Sequence, residues 1–249
     1  VTKLDIAILN LGHIRASLLG WTLQLLPEAK EHGVELGFLT PTDRPVCQNR
    51  NKICSDFMHH DADILMMIDE DMQPQKAPWD LCNAMMAGDG HDIIAYMSPA
   101  WKPHLPSPVY WVAARLDENE RFIQDFDFNG GGLMEMDAVG SGVMLIHRRV
   151  LEHPDMRAPF MDGWDDNGSR NLGHDYNFCI RAKRLGFRTW VATDHMAGHA
   201  REIELLDIAK LIGSYEQELQ YRNEQIRALG GEPLSLEAPV IDGTTEAAE

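Results

Sequence analysis

The stretch Asp63-Ile-Leu-Met-Met-Ile-Asp-Glu-Asp71 decides how this chain is read. Ile64 to Ile68 is unbroken apolar sequence, as in a strand covered on both faces, and it stops abruptly at Asp69-Glu70-Asp71. Working back from it, Val34 to Leu39 reads as a second strand and Asp5 to Leu9 as a first. Between those two, Ile14, Leu18, Trp21 and Leu25 recur at helical spacings, and helical spacing returns from about Asn51 to Met58. This alternation predicts an α/β fold, a mainly parallel sheet with helices on both faces.

Working forward, Pro78 to Ala87 can form a helix and Asp92 to Tyr96 a strand, before Pro99, Pro103, Pro106 and Pro108 mark a loop. Val109 to Leu116 and Arg121 to Phe126, joined by a polar turn, predict a hairpin. Met136 to Ile146 reads as a strand broken by Gly140-Ser-Gly142. Asp162 to Gly173, rich in Gly, Asp and Asn, predicts a mobile loop that leads into a helix from about His174 to Leu185, stopped by Gly186. Thr189 to Thr193 is a last strand. Ile208, Ile212, Tyr215, Leu219, Arg222, Ile226 and Leu229 then form a heptad-like seam, which serves either packing onto its own domain or a homodimer. The expected organisation is a catalytic domain over 1–200, a C-terminal helix over 201–230 and a flexible acidic tail over 231–249.

Composition bounds the function. With 249 residues, 44% hydrophobic and 24% charged, the chain is neither disordered nor a coiled rod. The net charge of −17 argues against a general nucleic-acid coat, and an anionic substrate would need a local basic pocket or a bound cation. Cys47, Cys54, Cys82 and Cys179 form no C-x-x-C pair, which suits reduced thiols in the cytoplasm. The longest apolar run, Val109 to Ala114, is far short of a membrane span, and no charged-then-apolar signal segment opens the chain. The methionines sit mostly in apolar segments as adaptable core filler.

A buried strand that delivers Asp69 and Asp71 to a crevice at its carboxyl end builds a hard-cation site, and oxygen ligands favour magnesium or manganese. A solvated acidic turn is the alternative. His195 and His199, four apart, could share a helix face as a zinc pair, or lie on the surface.

Four blocks in this order make the chain resemble the GT-A glycosyltransferases, akin to glycosyltransferase family 2, from about Asp5 to His199. They are Arg50-Asn51, the D-x-D segment Asp69-Glu-Asp71, the glycine-bearing strand and basic turn Val139 to Arg149, and the acceptor-side helix Gly173 to Gly186. Gly198-His199 falls where many members place a metal-ligating His. The resemblance implies a GT-A, Rossmann-like sheet and a nucleotide-diphosphate sugar donor, UDP-sugar favoured, held with Mn2+ or Mg2+. Asp69, Asp71 and His199 take the metal roles, with Asp69 also reaching the ribose or a metal-bound water. Thr40, Arg50, Asn51, Ser141, Gly142, Trp164 and His174 take donor-site roles. A cation would neutralise the diphosphate inside an acidic protein and stabilise the leaving group.

Inverting transfer needs a carboxylate on the acceptor hydroxyl, and Asp175, near a helix start that favours its ionised form, is the candidate; a mere cap is the alternative reading. The family usually shows Glu-Asp where this chain has His174-Asp175. The loop Asp162 to Gly173, with Trp164, is expected to close over the donor. Rival readings are a phosphohydrolase built on His59-His60-Asp61 and His174-Asp175, a nucleotidyltransferase using Asn10 to Arg15 as a poor glycine loop, and a non-catalytic nucleotide-sugar binder. The acceptor stays open between a glycan, a small molecule, a protein and a modified DNA base.

Overall fold

In the computed structural model, the described residues are 1–10, 12, 14–40, 45–101, 109–124, 131–164, 167–200, 213, 217 and 219–227. The chain divides into two compact units, Val1–Arg201 and Glu202–Glu249. In the second, residues 219–227 are helical. Most of the expected 201–230 helix, its dimer seam and the acidic tail fall outside the described residues.

The first unit opens with β1 (Thr2–Leu9), α1 (Ala16–Glu31), β2 (Val34–Leu39), α2 (Val46–Phe57) and β3 (Ile64–Asp69), the alternation the apolar pattern predicts. β4 (Met72–Pro74) and α3 (Trp79–Met86) lead into β5 (Ile93–Met97), followed by β6 (Pro99–Trp101), β7 (Val109–Trp111), β8 (Ala113–Leu116) and β9 (Phe122–Ile123). β10 (Leu133–Met136), β11 (Ala138–Val139), β12 (Val143–His147) and α4 (Arg148–Glu152) come next. β13 (Gly163–Trp164), β14 (Arg170–Leu172), α5 (His174–Arg184) and β15 (Thr189–His199) close the unit.

The main sheet runs β10-β15-β5-β12-β3-β1-β2. β1 is parallel to β2 and β3, and β15 is parallel to β5; β12 lies antiparallel between β3 and β5, and β10 antiparallel on β15. Two reversals through β12 restore the direction. β2, β1, β3, β5 and β15 therefore all end at one edge, and β12 starts there. This geometry brings the ends of β3 and β15, far apart in sequence, to the same side of the molecule.

Successive strand residues point to opposite faces, so each apolar run fills two cores. Leu4, Ile6, Ile8, Ile64, Met66 and Ile68 meet Leu18 and Leu25 of α1 and Trp79 and Met85 of α3. Ala7, Leu9, Leu65 and Met67 meet Ile53 and Phe57 of α2 and Phe178 of α5. Each fully buried Ile, Leu or Met contributes about 1.5–3 kcal/mol relative to exposure, and that burial holds the strand ends in place. α5 stops where Gly186 takes φ +87, a left-handed turn that costs a glycine little.

Three expectations are corrected. The hairpin over Val109 to Phe126 is split: β7 pairs with β6, and only β8 pairs with β9, because the chain changes partner at Val112. The Asp162 to Gly173 segment holds a small antiparallel pair, β13 with β14, around residues 165–166, which lie outside the described set. His195 and His199 share no helix face, because β15 runs on to His199 with an irregularity between Ala192 and Met196.

Candidate functional site

The acidic turn is strapped to its neighbours by backbone hydrogen bonds. Asp69 N–H donates to the Gly142 carbonyl at 2.8 Å, Glu70 N–H to that of Leu9 at 3.0 Å, and Ala200 N–H to that of Asp71 at 2.8 Å. The approach at Gly142 is close, since a Cβ there would stand 3.0 Å from Cε and Sδ of Met72. Asp69 thus leaves the sheet beside the start of β12, and Asp71 beside the end of β15.

His199 faces Asp71, with Nε2 3.2 Å from Oδ2, while its Nδ1 lies 2.9 Å from the Pro99 carbonyl. A carbonyl can only accept, so Nδ1 carries the proton that bonds it, and Nε2 faces a carboxylate across a gap that a shared cation satisfies, whether proton or metal. Two acceptors so placed fit a cation between them, and an imidazole with a carboxylate is a donor set that manganese accepts. The residues present therefore fit the implied metal.

Asp69 is drawn elsewhere. The buried Arg50 guanidinium donates from Nη2 to both Asp69 oxygens, at 2.6 and 2.7 Å, and from Nη1 to His174 Nε2 at 2.6 Å. It also lies 5.8 Å from the centre of the Phe160 ring, with the Ser141 carbonyl 3.5 Å from Nη2. Burial pushes the Asp69 carboxyl above its ordinary range, against the pull of Arg50 and with a further push from Asp71. Because Arg50 only donates, His174 accepts on Nε2 and carries its proton on Nδ1, which faces Asp162 at 3.7 Å. Asp162 was not singled out in the sequence; its only signal was the edge of the polar loop.

The structure brings together Arg50, Asp69, Ser141 and His174, and separately Asp71 and His199. Thr40 is exposed at the end of β2, and Trp164 is 63% exposed on β13. Asp175 is half-buried in the first turn of α5, where its Oδ1 accepts from Tyr176 N–H at 2.9 Å; Gly173 occupies the N-cap. Asn51, expected at the donor, is bonded to the backbone of Phe160. Its Nδ2 donates to the Phe160 carbonyl at 2.8 Å and its Oδ1 accepts from Phe160 N–H at 2.9 Å, which leaves the amide spent on stapling α2 to the segment before β13. Asn51→Ala is expected to destabilise the fold by about 1–3 kcal/mol, since it strands both Phe160 backbone groups; an unchanged urea midpoint would contradict this.

The His-Asp constellation of the hydrolase reading does not assemble. His60 Nδ1 pairs with buried Asp5 at 2.8 Å and Asp61 pairs with Lys3, both beside the starts of β1 and β3. His174 belongs to the opposite end of those strands. Burial pushes the thiols of Cys54, Cys82 and Cys179 up to about 12, which makes them inert as nucleophiles.

Among the described residues, another group could hold a metal: Asp80, Asp194 and His195, whose ligand atoms come within 4.8 Å of one another. His195 is buried, with Nε2 3.0 Å from Asp80 and Nδ1 3.1 Å from Asp194, and Lys76 reaches Asp194 at 3.0 Å. Each ring nitrogen faces a carboxylate, a geometry that a cation satisfies, whether proton or metal. Asp80 comes from α3, so no sequence spacing announced this group.

No protein-family model matches the chain, and no curated protein matches it in sequence. Solved structures do match. A197 from STIV superposes with a TM-score of 0.52 at 18% identity, over 81% of this chain and 87% of that one. GalNAc-T7, solved with UDP, GalNAc and Mn2+, superposes with a TM-score of 0.51 at 10% identity, over 82% of this chain. The fold is GT-A-like. The chain spans 44% of GalNAc-T7, and at these identities the GT-A-like likeness concerns architecture alone. In open α/β sheets ligands bind outside the carboxyl ends of the strands, and Asp69, Asp71 and His199 lie at that end of this sheet. Among the described residues, no helix is long and apolar enough to cross a membrane.

Proposed function

We propose that this chain is a metal-dependent glycosyltransferase that moves a sugar from a nucleotide-diphosphate donor, with UDP favoured, to an acceptor hydroxyl with inversion. The observation that carries the reading is the pairing of Asp71 with His199 Nε2 at 3.2 Å, across the ends of β3 and β15. A bound Mn2+ or Mg2+ would supply Lewis-acid stabilisation of the departing nucleoside diphosphate. Asp71 and His199 would hold it, with Asp69 beside them.

Arg50 holds Asp69 and His174 in register, so the donor side and the start of α5 are positioned by one guanidinium. Asp175, one residue on, takes the proton of the acceptor hydroxyl as it attacks. Trp164, on the β13–β14 pair, covers the donor and keeps water from it. The acceptor is a glycan, a small molecule, a protein side chain or a modified base. Four free cysteines, three of them buried, suit a reducing compartment such as the cytoplasm.

The test is thermal stability of the purified protein with Mn2+ or Mg2+ against UDP, GDP, TDP and CMP. A ligand at about 100 times its Kd adds roughly 2.7 kcal/mol to the folded state, so the expected result is a metal-dependent rise in Tm with UDP. A rise with metal alone and none with any nucleotide would sink the reading in favour of a metal-dependent hydrolase. Nucleotide binding without turnover of any UDP-sugar, even as hydrolysis, would leave a binding protein.

A further inference from the structure

His59, His60 and Asp61, singled out in the sequence and unused by the function proposed above, line a cavity of about 460 Å³ together with Asp5, Glu35 and Gly37. It opens on the α2 face of the sheet. Leu4 and Ile6 turn into the core under α1, so Lys3 and Asp5 share the opposite face with Ala7, which packs under α2.

Asp5 is a carboxylate in the middle of a covered strand, only 4% exposed, and a buried charge is costly unless it is matched. Its Oδ2 accepts from His60 Nδ1 at 2.8 Å, whereas its Oδ1 has no hydrogen-bond partner among the described residues. Oδ1 stands over Gly37, the residue paired with Asp5 across β1 and β2, and a Cβ on Gly37 would lie 2.0 Å from it. Glycine at that position keeps the space the carboxylate occupies. The oxygen is not sealed from solvent as the orphaned atoms of the interior are, and both residues line the cavity, so it opens there.

Glu35 lies two residues before Gly37 on the same face of β2 and is exposed, with its Cα about 8 Å from that of Asp5 by strand spacing. Lys3, the one Lys or Arg among the lining residues, is bonded to Asp61. Asp5 and Glu35 are therefore left without a Lys or Arg partner among the described residues. Their oxygens do not gather on a point. Among the described residues, the group whose ligand atoms come close enough for one ion is Asp80, Asp194 and His195, none of which lines this cavity. Separated N–H donors on one molecule match it better than a metal ion does, and a net charge of −17 draws cations toward the surface.

We infer that this cavity binds a small aliphatic diamine or polyamine, with one ammonium donating to Asp5 Oδ1 and a second to Glu35. The site lies beside the starts of β1 and β3, away from Asp69, Asp71 and His199, and does not depend on the glycosyltransferase reading.

The test is calorimetry on the full chain with putrescine, with butylamine, which has a single amine, and with Mg2+, at about 0.15 M salt to screen diffuse attraction. Putrescine should bind at one equivalent. Removing the second ammonium, as in butylamine, or one carboxylate, as in Asp5→Asn or Glu35→Gln, should weaken binding about tenfold or more, the loss expected for one charged hydrogen bond. Asp5→Asn keeps the side-chain shape, and Glu35→Gln changes an exposed position, so the second decides the result if the first folds poorly. Putrescine bound equally well by both variants would overturn the inference in favour of attraction to the acidic surface as a whole. Absence of saturable binding would overturn it too, and Mg2+ that competes with putrescine at equal concentration would make this an ion site instead.

Discussion

Asp71→Ala is expected to abolish metal-dependent nucleotide binding and to lower kcat/KM by about a thousandfold or more. Stabilisation of the leaving diphosphate by a Lewis acid accounts for several kcal/mol, and each 1.36 kcal/mol is tenfold in rate. Asp71 is the carboxylate that faces an imidazole whose other nitrogen is committed to Pro99, so its loss leaves His199 with Asp69, whose carboxylate is already gripped by Arg50. An imidazole and a carboxylate tied to a guanidinium hold manganese weakly against water. Asp80→Ala supplies the contrast, because Asp80, Asp194 and His195 form the other metal-compatible group. It should leave metal-dependent binding at the wild-type level. The reverse pattern, with Asp80→Ala silencing the metal response and Asp71→Ala sparing it, would move the metal site to α3 and β15.

Asp175→Asn should lower kcat by about a hundred- to ten-thousandfold, the span expected for loss of a general base, with little change in donor affinity. The side chain keeps its shape and can still accept from Tyr176 N–H, the contact Asp175 makes at 2.9 Å. What it loses is the capacity to take a proton. Single-turnover rates with UDP-sugar and an active acceptor, alongside calorimetry with UDP, separate the two effects. A variant with wild-type kcat would leave Asp175 as a helix-start residue only. Loss of affinity at constant kcat would make it a donor contact.

Much of the fold was legible because burial on both faces of a parallel sheet forces long apolar runs. Ile64 to Ile68 could be placed without a structure, and so could the acidic turn that follows, since a covered strand can end in charge only where the sheet meets solvent. The division of Val109 to Phe126 between two partners was not legible, because a register of two reads the same whichever strand lies opposite. The extension of β15 to His199 was missed for a related reason. Thr193, Asp194 and His195 interrupt the apolar pattern, and the strand continues through an irregularity that hydrophobic periodicity does not register.

The site divides along the same line. Asp69 and Asp71 were named from a covered strand that ends in charge, and Arg50, His174, Asp175 and His199 through the resemblance; the structure joins Arg50 to Asp69 and His174, and Asp71 to His199. Asn51 and Asn49 show the limit. Both are amides on one helix, two positions apart, and nothing local distinguishes the one bonded to Phe160 from the one whose Oδ1 meets no donor among the described residues.

By itself the sequence determined the class of the fold and the end of the sheet at which the acidic side chains lie, because these follow from apolar periodicity and the position of charge along the chain. Only the tertiary structure decided which of those side chains meet. Contacts across 124 residues between Arg50 and His174, or 128 between Asp71 and His199, depend on strand order and direction. Those are settled by the packing of two cores on one sheet, which no window of sequence contains.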